Sequence, residues 1–188
     1  MSERHKRGDH EGHDHKDGEE CFICKHGIDA MRRWEDECMA KHGWYAHYIT
    51  KGVDGVGAEG LPYKCNLHTH GIPITWPGAL DAQLCLPSSV SPKTAHGFFV
   101  MYVDLLKEGY RFRHGDACAK VLKDLMVVFA RTTEQERDVL RIILPDRHGH
   151  LLKGTIGGGL DAQWGGCDEV KELNTVPLKA GSKKPRIR

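Results

Sequence analysis

The chain has 188 residues, 39% of them hydrophobic and 28% charged, with a net charge of +1 from 27 Lys and Arg against 26 Asp and Glu. That length suits one globular domain with a sizeable core plus tails, and the near-neutral balance excludes a global electrostatic pull toward nucleic acid or anionic lipid. No stretch approaches the roughly 18 apolar residues of a membrane span, and residues 1–20 are polar where a signal peptide carries an apolar run. The sequence therefore reads as a cytoplasmic protein whose partner is a small molecule or another protein, not a membrane or a nucleic acid.

Residues 1–20 hold His5, His10, His13 and His15 among charged residues and glycine, with almost no apolar side chain, and are expected to be a disordered His-rich tail able to chelate a transition metal weakly. Ordered structure is expected from Cys21-Phe22-Ile23-Cys24 onward. From Ile28 to about Lys41 the apolar positions Ile28, Met31, Trp34, Cys38 and Met39 follow helical spacing, and Gly43 supplies the stop. Trp44 to Thr50 has the aromatic and β-branched content of a strand, and Gly52 to Gly60, with four glycines, reads as a flexible loop. A second strand covers Tyr63 to His70, alternating Tyr63, Cys65 and Leu67 against Lys64, Asn66, His68 and His70. A third covers Leu80 to Leu86, with Leu80, Ala82, Leu84 and Leu86 opposed to Asp81, Gln83 and Cys85.

Ser91-Pro92 is a helix start, an N-cap followed by proline in the first turn, and Ala95, Phe98, Phe99, Tyr102, Val103 and Leu106 form the apolar stripe that follows. Tyr110 to Arg113 reads as a short strand and Leu125 to Ala130 as a longer one. Thr133-Glu134-Gln135-Glu136 has capping-box spacing and opens a helix through Val139, Leu140 and Ile143 that must stop before Pro145. Gly154 to Gly166 holds six glycines and reads as a mobile loop. It lacks the preceding strand, the Gly-Lys-Ser/Thr and the following helix that a phosphate-binding loop needs. Residues 169–188 read as a tail ending in the basic run Lys183 to Arg188. Together these elements predict a single α+β domain over residues 21–168: a mainly antiparallel sheet packed against two principal helices, Ser91 to Lys107 and Thr133 to Leu144, plus an N-terminal helix.

Cys21-Phe22-Ile23-Cys24, Lys41-His42-Gly43-Trp44 before a strand, the stretch Asn66 to Gly71 and Leu144-Pro145-Asp146 occur in an order that resembles a bacterial family catalogued as domain of unknown function 4262. The resemblance covers roughly residues 21–168. It implies a compact α+β domain and carries no activity with it. The family often has Tyr-Thr-Val-Gly where this chain has His68-Thr69-His70-Gly71, so the paired histidines would mark a subset of it.

Three groups of residues are candidates for chemistry. His68 and His70 lead: a His-x-His pair on a strand points both imidazoles to one face, and neutral imidazole offers a lone pair to zinc or another divalent transition metal. Asn66 shares that face, and the third ligand is open among Asp81, His47, His96, His114 and the pair His148 and His150. The second group is Cys21, Cys24, Cys38 and His42, with Cys38 and His42 one helical turn apart as on a zinc-finger helix. Four protein ligands there would make a structural zinc site. Seven cysteines, an odd number in a chain with no export signal, likewise read as thiols or metal ligands rather than disulfides. The third group is Cys65, Cys85 or Cys118 as a nucleophile, with Cys85 favoured because it shares a face with Asp81 and Gln83.

The sequence points to a cytoplasmic protein that binds metal through the His-x-His strand, the Cys-rich N-terminal site or both, and two alternatives define its role further. Asn66-Leu67-His68-Thr69-His70 is similar to the Asp-x-His-x-His strand motif of amidohydrolase and polymerase-histidinol-phosphatase-type enzymes, which would make the protein a metal-dependent hydrolase with an open-coordinated metal. Those enzymes are barrels of about 250 residues with the motif on the first strand, whereas here it lies mid-chain in a shorter protein. The other reading is a non-catalytic interaction module with at most a structural zinc.

Overall fold

The computed structural model describes residues 25–49, 65–86, 91–122, 125–134, 136–146, 149–151 and 161–176. Contacts divide the chain into residues 1–37 and 38–188. Of the first unit only residues 25–37 are described, most of them in helix α1 (Ile28–His42), which forms where the helical spacing predicts. Its end lies in the second unit, where Gly43, at φ 75°, returns its N–H to Met39 O at 2.9 Å, the left-handed closure that glycine adopts without steric cost.

Residues 38–188 form the α+β domain the sequence predicts. Its strands, in chain order, are β1 (Tyr45–Ile49), β2 (Cys65–His70), β3 (Asp81–Leu86), β4 (Asp116–Leu122), β5 (Leu125–Glu134), β6 (Arg137–Ile143) and β7 (Asn174–Thr175). They make one mixed, mostly antiparallel sheet in the order β1-β2-β3-β6-β5-β4-β7, with β3 beside β6 and β4 beside β7 running parallel. Helix α2 (Ile72–Thr75) is a single turn after β2, and α3 (Pro92–Lys107) connects β3 to the β4–β5–β6 meander. The start of α3 is as the sequence predicts: Ser91 Oγ accepts from Thr94 N at 3.1 Å, and Pro92 occupies the first turn.

The predicted helix from Thr133 to Leu144 does not form. Those residues are the end of β5, a tight turn and β6, paired from Glu134 opposite Arg137 to Val128 opposite Ile143. Glu136 holds φ 65° in the turn. Val139, Leu140 and Ile143 satisfy helical spacing, but the same residues belong to a run rich in β-branched side chains, and a short apolar run fits either period. Tertiary pairing decides the matter, because β6 lies between β5 and β3 and gains ladder bonds on both edges. Residues 110–113, predicted as a strand, make no ladder; Phe112 instead stacks on Phe129 with centroids 4.2 Å apart. Past residue 168, where the sequence reading placed a tail, β7 pairs with β4.

Alternation along the strands gives the sheet two different faces. On one, α3 buries Ala95, Phe99, Tyr102, Val103 and Leu106 against Leu67, Leu84, Leu140, Ile142, Val127 and Phe129, each large side chain contributing about 1.5–3 kcal/mol on burial. On the other, Ala117, Val128, Ala130 and Ile143 are covered by Trp164, Cys167 and Val170. The covering segment is held by Arg141, 4% exposed, whose Nε donates to Gln83 Oε1 at 2.7 Å and whose Nη1 donates to the carbonyls of Gln163 and Gly165. The buried Gln163 amide closes the arrangement by bonding both backbone groups of Leu144. At the β1–β2 end of this second face the side chains are histidines.

Candidate metal centre

Antiparallel register assembles the site. In the β1–β2 ladder His47 lies opposite His68 and Tyr45 opposite His70. Directly opposed residues share a face, and so do residues two apart on one strand. Three imidazoles are therefore brought together: His47 and His68 have ring centroids 5.6 Å apart, while His47–His70 and His68–His70 are each 4.8 Å apart. One ligand atom from each lies within 4.8 Å of the other two, and this is the only such trio of metal-ligating side chains among the described residues. Tyr45 stacks on His70 at 4.9 Å and fixes the plane of its ring.

A carboxylate buttresses the cluster. Glu134, at the end of β5 and 6% exposed, places Oε1 2.5 Å from His68 Nδ1. The approach lies outside ideal hydrogen-bond angles, yet the distance makes Glu134 the nearest partner of that nitrogen and leaves Nε2 of His68 to serve as ligand. Its second oxygen accepts from Arg137 Nη2 at 2.9 Å, and Arg137 Nη1 donates to Asp81 Oδ2 at 3.0 Å. Asp81 Oδ1 in turn accepts from Thr69 Oγ1 at 3.0 Å and from Ile72 N at 3.2 Å. One connected set of polar groups thus joins His68, the β5–β6 turn and the first residue of α2.

The electrostatics keep the His70 nitrogen available. Burial, followed by the charges of Arg137, His68 and His47, lowers the His70 pKa to about 3 against a weaker opposing pull from Glu134. His70 is therefore neutral at pH 7, and its Nε2 is a buried polar atom without a hydrogen-bond partner. For Glu134, burial works to raise the carboxyl, but the hydrogen bonds and charges of His68 and Arg137 outweigh it and hold the group below its ordinary range. Burial pushes the Asp81 carboxyl up, opposed by its bonds to Ile72 and Thr69 and by Arg137. A buried unpaired imidazole costs free energy that a ligand would recover.

Of the third ligands that the sequence leaves open, the structure brings in His47. His96 lies elsewhere, stacked on Trp44 at 5.3 Å; His114 bonds Arg131 N and Glu169 O; His150 pairs with Asp146; and Asp81 is engaged by Arg137. His148 and the Asn66 side chain are outside the described residues. In the second candidate group Cys21 and Cys24 also lie outside them, while Cys38 is half-buried and His42 exposed on α1. Among the candidate nucleophiles the Cys65 side chain is not described, Cys85 is buried, and burial raises the Cys118 thiol, which leaves it protonated and unreactive. The glycines of 154–159 fall outside the described residues. Glu134 and Arg137 are the residues around the cluster that sequence reasoning missed. The β-branched content of Val139, Ile142 and Ile143 was the one local signal that β6 is a strand. Comparison of the chain with protein-family models, with curated proteins and with solved structures found no match.

Proposed function

We propose that the protein binds one divalent transition-metal ion through His47, His68 and His70 and uses an open coordination position on it for Lewis-acid chemistry, most simply hydrolysis. The observation that carries this reading is the trio of imidazoles whose ligand atoms lie within 4.8 Å of one another. Neutral imidazoles suit zinc, copper, nickel or iron rather than magnesium or calcium. A tetrahedral ion with nitrogen ligands at about 2.0–2.1 Å separates its donors by roughly 3.3 Å, so small rotations of the three rings close the cluster around it. Glu134 against His68 Nδ1 is the carboxylate–histidine pairing that fixes the tautomer of a ligating ring and raises its basicity.

Three protein ligands leave a fourth position, and a bound ion supplies there a water whose pKa falls to about 7. The chain's own groups orient and enclose. Glu134 has both oxygens committed, one to His68 and one to Arg137, and so acts on ring orientation rather than as a free base.

Elemental analysis of the full chain tests the reading, with His68→Ala/His70→Ala as its reference so that the N-terminal histidines contribute equally to both. The wild type should hold about one more tightly bound ion per chain than the double variant; equal metal content refutes the site.

A further inference from the structure

A pocket adjoins the imidazole cluster at His70, and the character of its lining names a ligand. The pocket, of about 390 Å³, is lined by the polar side chains of His70, Tyr45, Asp81 and Arg137 and by Met39, Gly71, Pro73 and Ile74. Its volume lies at the lower end of the range of small-molecule sites. Gly71, in the lining, sits at φ 89°, a left-handed conformation that glycine adopts without steric cost, with the Met39 thioether against it.

Charge gives the ligand its sign. Arg137 is flanked by two carboxylates, Asp81 at 3.0 Å and Glu134 at 2.9 Å, and the three groups together carry one negative charge. A divalent ion held by neutral imidazoles reverses that to one positive charge in a partly desolvated site, where such a charge attracts strongly. A monoanion balances it. A phosphate dianion would overshoot and would bring two charges against Asp81 and Glu134. The apolar part of the lining adds the other half of the chemistry, because Met39, Pro73 and Ile74 offer no hydrogen bond to a polar substituent.

We infer that this pocket takes a small monocarboxylate with a short apolar chain, its carboxylate at the open position of the metal and its chain against Met39, Pro73 and Ile74. The inference rests on the three-histidine metal site proposed above. It makes binding of the two ligands mutually dependent: the carboxylate enters only with the ion in place, and it tightens the hold on the ion by the same factor.

Cobalt(II) is the probe, since its visible absorption reports both occupancy of the site and a new oxygen ligand. The full chain is loaded with cobalt and titrated with hexanoate, acetate and inorganic phosphate. Hexanoate should change the cobalt spectrum and bind roughly tenfold tighter than acetate, the gain from burying two of its methylenes, with phosphate weaker than either. Ile74 is 79% exposed, so Ile74→Ser is tolerated by the fold and should bring hexanoate down to the level of acetate while cobalt binding is kept. A cobalt spectrum that hexanoate leaves unaltered, or equal affinities for hexanoate and acetate, overturns the inference and leaves the metal site standing. Absence of a His68-dependent cobalt spectrum overturns the metal site itself.

Discussion

Replacing Glu134 by Gln keeps the side-chain volume and removes the charge that His68 and Arg137 share. A carboxamide has one acceptor oxygen for the two donors that Glu134 now faces, His68 Nδ1 at 2.5 Å and Arg137 Nη2 at 2.9 Å, so one of them loses its partner. Loss of such a support for a ligating histidine weakens metal binding about 10- to 100-fold. At an ion concentration 100 times the wild-type Kd, binding stabilises the folded chain by about 2.7 kcal/mol. In a protein of this size that raises Tm by roughly 5–10 °C. A thirtyfold weaker variant at the same concentration gains only about 0.9 kcal/mol, or roughly 2–4 °C. Glu134→Gln also lowers the melting temperature of the metal-free protein, because whichever of His68 and Arg137 keeps the carboxamide oxygen, the other faces its NH2 group and loses a partner. That loss cancels when each protein is compared with itself, with and without the ion. Scanning calorimetry of both proteins, with zinc and with chelator, therefore isolates the contribution of Glu134 to the metal. A zinc-induced rise in Glu134→Gln equal to that of the wild type refutes the buttressing role.

Two further predictions concern pH and the turn. His70 lies at about 3 in the folded chain against 6.5 for an unperturbed imidazole, so below pH 6.5 the unfolded chain takes up a proton that the folded chain refuses. Its contribution to stability is intact above about pH 6.5 and is lost as the pH falls toward about 3. Urea midpoints of the chelated protein should fall across that interval and fall less steeply in His70→Asn, whereas parallel slopes would count against a buried neutral His70. Glu136 holds a left-handed conformation in the β5–β6 turn, which costs a side-chain-bearing residue about 1–2 kcal/mol, partly recovered by glycine at its own entropic cost. Glu136→Gly should raise stability by about 0.5–1 kcal/mol; a loss of stability would show that the turn depends on the Glu136 side chain.

What could be read from the sequence was local. The His68 and His70 pair was legible because period-two alternation fixes which side chains share a strand face, and Ser91-Pro92 marked α3 because a cap and a first-turn proline act within one turn of chain. His47 appeared only as one of several third ligands. Choosing it required the β1–β2 register, and the connection between those strands spans residues 50–64, too long for turn geometry to set the pairing. Glu134 was hidden more deeply. Thr133 and Glu136 mimic a capping box, and Val139, Leu140 and Ile143 mimic a helical stripe, so local rules placed Glu134 in a first helical turn. Its position beside His68 depends on β6 pairing with β3, a contact between segments more than fifty residues apart. Nonlocal pairing of that kind overrides local propensity. The same limit explains why β4 and β7 were missed, since β7 has two residues and exists only against β4.

In the proposed function, three imidazoles from β1 and β2 hold one metal ion. Crystals of the zinc-loaded full chain, measured on both sides of the zinc absorption edge, test it directly. The account predicts one anomalous peak at about 2.0–2.1 Å from a ring nitrogen of each of His47, His68 and His70, with Glu134 against the far nitrogen of His68. A peak elsewhere with the trio empty, or no peak at full zinc loading, contradicts it.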